Sequence, residues 1–96
     1  METKMSGTHR IRVDERITRE LIEADVEIAF NLIDLSQTEL ERGDRPAALR
    51  VLQDSEDVFR DIERRLTLIG EVKSQPFSSL VEELKRQTAL AKSQIA

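Results

Sequence analysis

Apolar side chains recur every three or four positions from about residue 14 to residue 42, and no glycine or proline interrupts them. This spacing predicts one long helix of about 40 Å, with Asp14 as its N-cap. Gly43 predicts a left-handed C-terminal cap, and Asp44 and Pro46 predict the N-cap and first turn of a second helix. Gly43 and Asp44 are therefore expected to form a tight turn between two helices.

The pattern continues with a second helix over about residues 45–69, which Gly70 is expected to end. A connector over residues 71–75 leads to Pro76, and a third helix is predicted over about residues 77–94. Residues 1–13 are predicted to be a flexible tail, and residues 14–96 one domain. The predicted fold class is all-α, an antiparallel three-helix bundle built on a long helical hairpin.

The apolar stripes of the first two helices share one spacing, 4-3-4-3-4, and come into phase when the chain folds back at Asp44. Four of the six resulting pairs set a large residue against a small one, which favours close packing. The spacing also predicts left-handed packing of the hairpin. The pairs are Leu40–Ala48, Ser36–Leu52, Ile33–Ser55, Ala29–Phe59, Val26–Ile62 and Ile22–Leu66.

Residues 32 to 60 resemble a single tetratricopeptide-type helical hairpin, through Leu32, Leu35, Ser36, the turn pair Gly43 and Asp44, and then Ala48, Leu52 and Ser55. The aromatic positions of that family hold Leu32 and Glu39 here, and Arg60 stands where its proline ends the second helix. No second copy follows at a spacing of about 34 residues. The resemblance therefore implies a solitary hairpin that other elements must cover.

A three-helix unit with one such hairpin also resembles the microtubule-interacting-and-trafficking domain. That resemblance implies a groove between helices that holds a partner helix.

Composition narrows the classes of function. The 96 residues include no cysteine, so disulfides and thiol chemistry are excluded. With 19 acids against 15 bases the net charge is −4, and nucleic acid is not an expected partner. No apolar stretch approaches the length of a membrane span, so no membrane association and a cytoplasmic location are expected.

Four acids of the first helix lie on one side of it: Glu20, Glu23, Glu27 and Asp34. A carboxylate metal site in a bundle also needs histidines, and the only histidine is His9, in the predicted tail. A solvated acidic ridge is therefore the favoured interpretation, with a metal-binding bundle as a distant alternative. No serine stands beside a histidine and no glycine-rich loop is present. We expect no catalytic residues, no metal and no cofactor, and hence a protein that is not an enzyme.

The first helix is apolar over a wider arc than one neighbour needs. A second set, Ile17, Leu21, Ala24, Ile28, Leu32 and Leu35, must meet something other than the second helix. The third helix is expected to run beside the first and to stop short of Gly43, leaving some apolar surface uncovered. The candidate interface residues are Phe30, Leu32, Leu35, Leu49, Leu68, Leu90 and Asp25.

An unpaired carboxylate within an apolar arc is costly, so Asp25 is expected to have a polar partner. Two interpretations of that partner are open. Asp25 either forms a polar contact or ion pair with another subunit, or lies between neighbouring helices and reaches water or an arginine.

The whole pattern predicts a small helical interaction or assembly module. Self-association as a homodimer is the leading hypothesis, and a monomeric adaptor that binds another protein's helix in a groove is the alternative.

Overall fold

The computed structural model describes the backbone of residues 2–95 and the side chains of residues 15–95. It contains α1 (Glu2–Glu41), α2 (Arg45–Ile69), the single-turn α3 (Glu71–Ser74), a 3₁₀ turn (Gln75–Phe77) and α4 (Ser78–Ile95). Strands are absent from the described residues. The all-α three-helix bundle built on a long hairpin is confirmed.

The helix boundaries agree with the sequence except at the start of α1. The second helix has the predicted bounds, and α4 begins and ends one residue later than predicted. The connector is itself helical, as α3 and the 3₁₀ turn. The first helix begins at Glu2 and not near Asp14. The side chains of residues 1–14 lie outside the described residues, so a flexible tail over residues 1–13 stays a prediction.

The turn between α1 and α2 is a Schellman motif. Gly43 has φ +85°, and its amide donates to the carbonyl of Leu40 at 2.9 Å, while the Asp44 amide donates to the carbonyl of Glu39 at 2.9 Å. The Asp44 carboxylate then accepts from the Ala47 amide at 3.0 Å and caps α2, with Pro46 in the first turn. The predicted roles of Gly43, Asp44 and Pro46 are confirmed.

The two predicted stripes form the hairpin core. Nine of their twelve residues are buried, and the other three, Leu40, Phe59 and Leu66, pack against the core. The two buried serines are satisfied: Ser36 donates to the carbonyl of Ile33 at 2.7 Å, and Ser55 donates across the hairpin to the carbonyl of Ala29 at 3.3 Å. Small hydroxyl side chains thus let the helices approach closely without leaving a buried polar group unpaired.

The chain reverses a second time at Gly70, which has φ +91° and donates to the carbonyl of Leu66. Lys73 of α3 forms an ion pair with Glu15 and joins this end of the bundle to α1. From there α4 runs back along the hairpin, and its stripe of Val81, Leu84, Ala91 and Ile95 packs on the core together with Phe77 of the 3₁₀ turn. Near its end, Lys92 pairs with Glu56 of α2, so α4 stops short of the Gly43 turn as expected.

The side of the hairpin that α4 covers differs from the sequence-based expectation. Glu56 and Phe59 of α2 adjoin α4, and Phe30 of α1 packs against the core. Phe30 lies about 200° around α1 from Ile28, because each residue advances a helix by about 100°. The second apolar set of α1 was expected to meet the third helix, and this was wrong: Ile17, Leu21, Ile28 and Leu35 remain 42–46% exposed.

We predict that Ile62→Ala lowers the free energy of unfolding by about 3 kcal/mol, because the fully buried side chain leaves a cavity between closely packed helices. Leu68→Ala is the control: Leu68 is 74% exposed, and we expect a change of less than about 0.5 kcal/mol. Urea titrations measure both values. Equal losses for the two variants would contradict the observed core.

We predict that Asp44→Ala destabilises the protein by about 1 kcal/mol, because it removes the acceptor for the Ala47 amide at the start of α2. Asn retains a side-chain acceptor, so Asp44→Asn is expected to keep most of the stability. Thermal unfolding followed by circular dichroism compares them. A loss for Asp44→Asn as large as that for Asp44→Ala would show that the cap is not the source of the effect.

Candidate interaction surface

The side of the hairpin turned away from α4 carries an exposed apolar strip on α1. It consists of Ile17, Leu21, Ala24, Ile28 and Leu35, with Leu32 half-buried beside them. With Asn31 included, the exposed positions 17, 21, 24, 28, 31 and 35 repeat the 4-3-4-3-4 spacing of a coiled-coil seam. The strip is about 27 Å long at the rise of an α-helix. Contiguous apolar surface of this kind is typical of an interaction site.

The second helix supplies the other half of this surface. Val51, Val58 and Arg65 are each partly buried and seven residues apart, so they lie one above another along α2. Leu35 and Val51 line the same shallow groove, together with Ala47 at the end nearest the Gly43 turn. We call the surface formed by the α1 strip and this row of α2 the open face. A shallow trough lies between α1 and α2 within this face, and the α1 strip lies beside it on the outer side of α1.

One ion pair bridges the two helices within the open face. Arg65 of α2 donates to the carboxylate of Asp25 of α1, and their side chains are 29% and 19% exposed, respectively. The interpretation in which Asp25 lies between neighbouring helices and reaches an arginine is therefore confirmed. The pair keeps a carboxylate satisfied among apolar neighbours and needs no second subunit to do so.

Three acids follow the outer border of the α1 strip. Glu20, Glu27 and Asp34 are exposed and seven residues apart, so they form one row parallel to the strip. None of the three carboxylates has an ion-pair partner among the side chains described. We call these three residues the acidic row. It leaves one border of the open face with uncompensated negative charge.

The border on α2 is close to neutral. Asp57 pairs with Arg60, and Asp61 pairs with Arg64 at 3.5 Å. The two remaining charges on this border, Arg50 and Asp54, have opposite signs. The electrostatic asymmetry of the open face therefore arises from α1.

The structure brings together only some of the candidate interface residues. Leu32, Leu35 and Asp25 lie on the open face. Phe30 packs against the core on the other flank of α1, and Leu49 lies on the α4 side of α2, beyond the end of α4. Leu68 is exposed near the end of α2, and Leu90 lies on the outer side of α4, away from its buried stripe. A role in binding for any of them stays a prediction.

A second concavity lies between α2 and α4. It is a cleft of about 300 Å³ with a floor of Phe59, Thr88 and Ala89. Charged side chains surround it, and the Lys92–Glu56 ion pair closes one side.

One carboxyl on α4 has a shifted pKa. Gln87 donates a hydrogen bond to Glu83 at 2.9 Å and Arg86 donates two more, so the pKa of Glu83 is lowered from its ordinary value of 4.5. Both contacts favour the ionised form of a surface group on α4 itself. Glu83 lies on α4, outside the open face.

The described part of the chain lacks two further features. Among those residues no group of three or more histidine, aspartate or glutamate side chains is placed to hold a metal ion. No helix there combines the length and apolar character needed to cross a membrane.

Comparisons with protein-family models, with curated proteins and with solved structures found no match to this chain. The resemblances to the tetratricopeptide-type hairpin and to the microtubule-interacting-and-trafficking domain therefore stay predictions.

Sequence reasoning identified the α1 strip but assigned it to the wrong neighbour. Ile17, Leu21 and Ile28 were expected to be covered by the third helix, and they are not. Phe30 and Phe59 were a usable signal for the flank that α4 covers, because the two largest apolar side chains of the hairpin leave the most surface to bury. Val51 and Val58 were missed because they flank the main stripe of α2.

We predict a coupling energy of about 1 kcal/mol between Asp25 and Arg65 in a double-mutant cycle with alanine, since both side chains are mostly buried. The control cycle uses Asp57 and Arg60, whose side chains are 63% and 68% exposed, and we expect coupling below about 0.3 kcal/mol. Urea titrations provide all the stabilities. Equal coupling in the two cycles would contradict a special role for the pair in the open face.

Proposed function

We propose that this protein is an interaction module whose open face binds a helix of a protein partner. The observation that carries this proposal is the exposed strip of Ile17, Leu21, Ala24, Ile28 and Leu35 on the flank opposite α4. Side chains of this size are rarely left in one contiguous row on a monomer without a binding role. The proposed function is therefore binding and assembly.

The shape of the open face suits a helix. A further helix packed along the α1 strip would complete a four-helix arrangement, with α4 already on the opposite flank of the hairpin. The seam spacing on α1 matches the period at which a partner helix would present its own apolar residues. Asn31 interrupts the seam, and a single polar seam position favours one register over others.

Self-association through the same face is the second candidate. The spacing 4-3-4-3-4 is the same in either direction, so two copies of α1 packed antiparallel would set Ala24 of each against Ile28 of the other. That is a pairing of small and large side chains across a symmetric interface. This observation keeps the homodimer as a candidate.

We predict that a neutral helical probe peptide binds the protein and that Leu35→Glu weakens its binding at least about tenfold, because a carboxylate would be desolvated in the interface. The probe has about three heptads with leucine at the seam positions and glutamine at the flanks. Leu90→Glu is the matched control, with the same change of charge at a leucine that is 52% exposed, against 46% for Leu35. Fluorescence anisotropy measures the affinities.

Binding that is equally strong in Leu35→Glu and Leu90→Glu would contradict a role for the open face. Light scattering over a range of concentrations separates the two candidates. A dimer that Leu35→Glu dissociates and Leu90→Glu does not would assign the open face to a second copy.

A further inference from the structure

We propose that the occupant of the open face is a basic amphipathic helix, with lysine or arginine along the edge that borders the acidic row. This inference rests on the proposed function and names the chemistry of the partner. It is carried by the charges that border the open face, together with its exposed apolar strip.

The negative charge of the acidic row favours a basic partner. Glu20, Glu27 and Asp34 lie along the strip at intervals of about two helical turns, and none of them forms an ion pair with another described side chain. A helix packed along the α1 strip, with basic residues seven apart, would bring one cation near each carboxylate, because the acidic row directly flanks the strip. Rim contacts of this kind mainly select the partner and its orientation, while the apolar seam supplies most of the affinity.

The rest of the open face does not offset this charge. The Asp25–Arg65 pair is neutral within the trough, and the α2 border is balanced by its own ion pairs. A partner therefore meets negative charge along α1 and little net charge along α2. This asymmetry favours a partner helix whose basic residues lie on one edge.

A second copy of the chain fits these charges less well. If two open faces packed with α1 antiparallel to α1, Glu27 would lie near its own symmetry mate and Glu20 near Asp34 of the other copy. Like charges placed together oppose association. If α1 instead lay on α2 of the second copy, the acidic row would meet a border without net positive charge and would gain no compensation.

The first experiment compares two probe peptides with the same seam of leucines over about three heptads. One peptide carries lysine at the flanking positions, and the other carries glutamate. Like charges on each peptide discourage it from pairing with itself. We expect the lysine-flanked peptide to bind about tenfold more tightly at about 20 mM salt and the difference to shrink at about 500 mM salt, because the contacts are exposed.

A triple charge reversal tests whether the acidic row causes the preference. Glu20→Lys, Glu27→Lys and Asp34→Lys are combined, and we expect the variant to prefer the glutamate-flanked peptide. The matched control combines Glu63→Lys, Glu71→Lys and Glu82→Lys. These three glutamates are exposed on the α4 side of α2, on α3 and on α4, and the control changes the net charge equally. We expect the control to keep the preference for lysine. Thermal unfolding confirms that both variants fold.

The outcomes separate this inference from the proposed function. Equal binding of the two peptides, both lost in Leu35→Glu, would overturn the basic partner and leave the helix-binding function intact. A preference reversed as strongly by the control triple would also overturn it, because overall charge would then be the cause. A dimer dissociated by Leu35→Glu would replace the basic helix with a second copy. Binding that is insensitive to Leu35→Glu would overturn the proposed function itself.

Discussion

The packing of α1 against α2 in one fixed register is the constraint on which the rest of the molecule depends. Their stripes share a spacing and meet in phase only because the chain reverses over Gly43 and Asp44, where the Schellman motif and the N-cap satisfy the helix ends. Buried Ser36 and Ser55 fit this contact because each has a hydrogen-bond acceptor. A shift of one residue would separate these pairs and expose the stripe.

Once the hairpin is fixed, it has two flanks, and the single helix α4 covers only one of them. It covers the flank with Phe30 and Phe59, and Lys92–Glu56 and Lys73–Glu15 join the additional helical segments to the hairpin. The opposite flank keeps the α1 strip in contact with water and the Asp25–Arg65 pair within it. The open face is therefore left exposed because the hairpin has two flanks and only one further long helix packs against it.

Local chemistry made the hairpin predictable from sequence, since Gly43, Asp44 and Pro46 act on their immediate neighbours and the stripes follow from periodicity. The flank chosen by α4 was not predictable in the same way, because it depends on the path of the chain through Gly70 and α3 and on competition between two apolar surfaces. For the same reason, predicted interface residues such as Leu49 and Leu90 do not lie on one surface. The acidic residues were recognised, but their relation to the open face required the third helix to be placed.

The most direct test of the central claim is to map where a helix binds, by following amide and methyl NMR signals during titration with the lysine-flanked peptide. We expect the largest shifts at Leu21, Ile28 and Leu35 of α1 and at Val51 and Val58 of α2, with little change around Leu90. Shifts centred on α4, or on the cleft formed by Phe59 and Ala89, would contradict the assignment of binding to the open face.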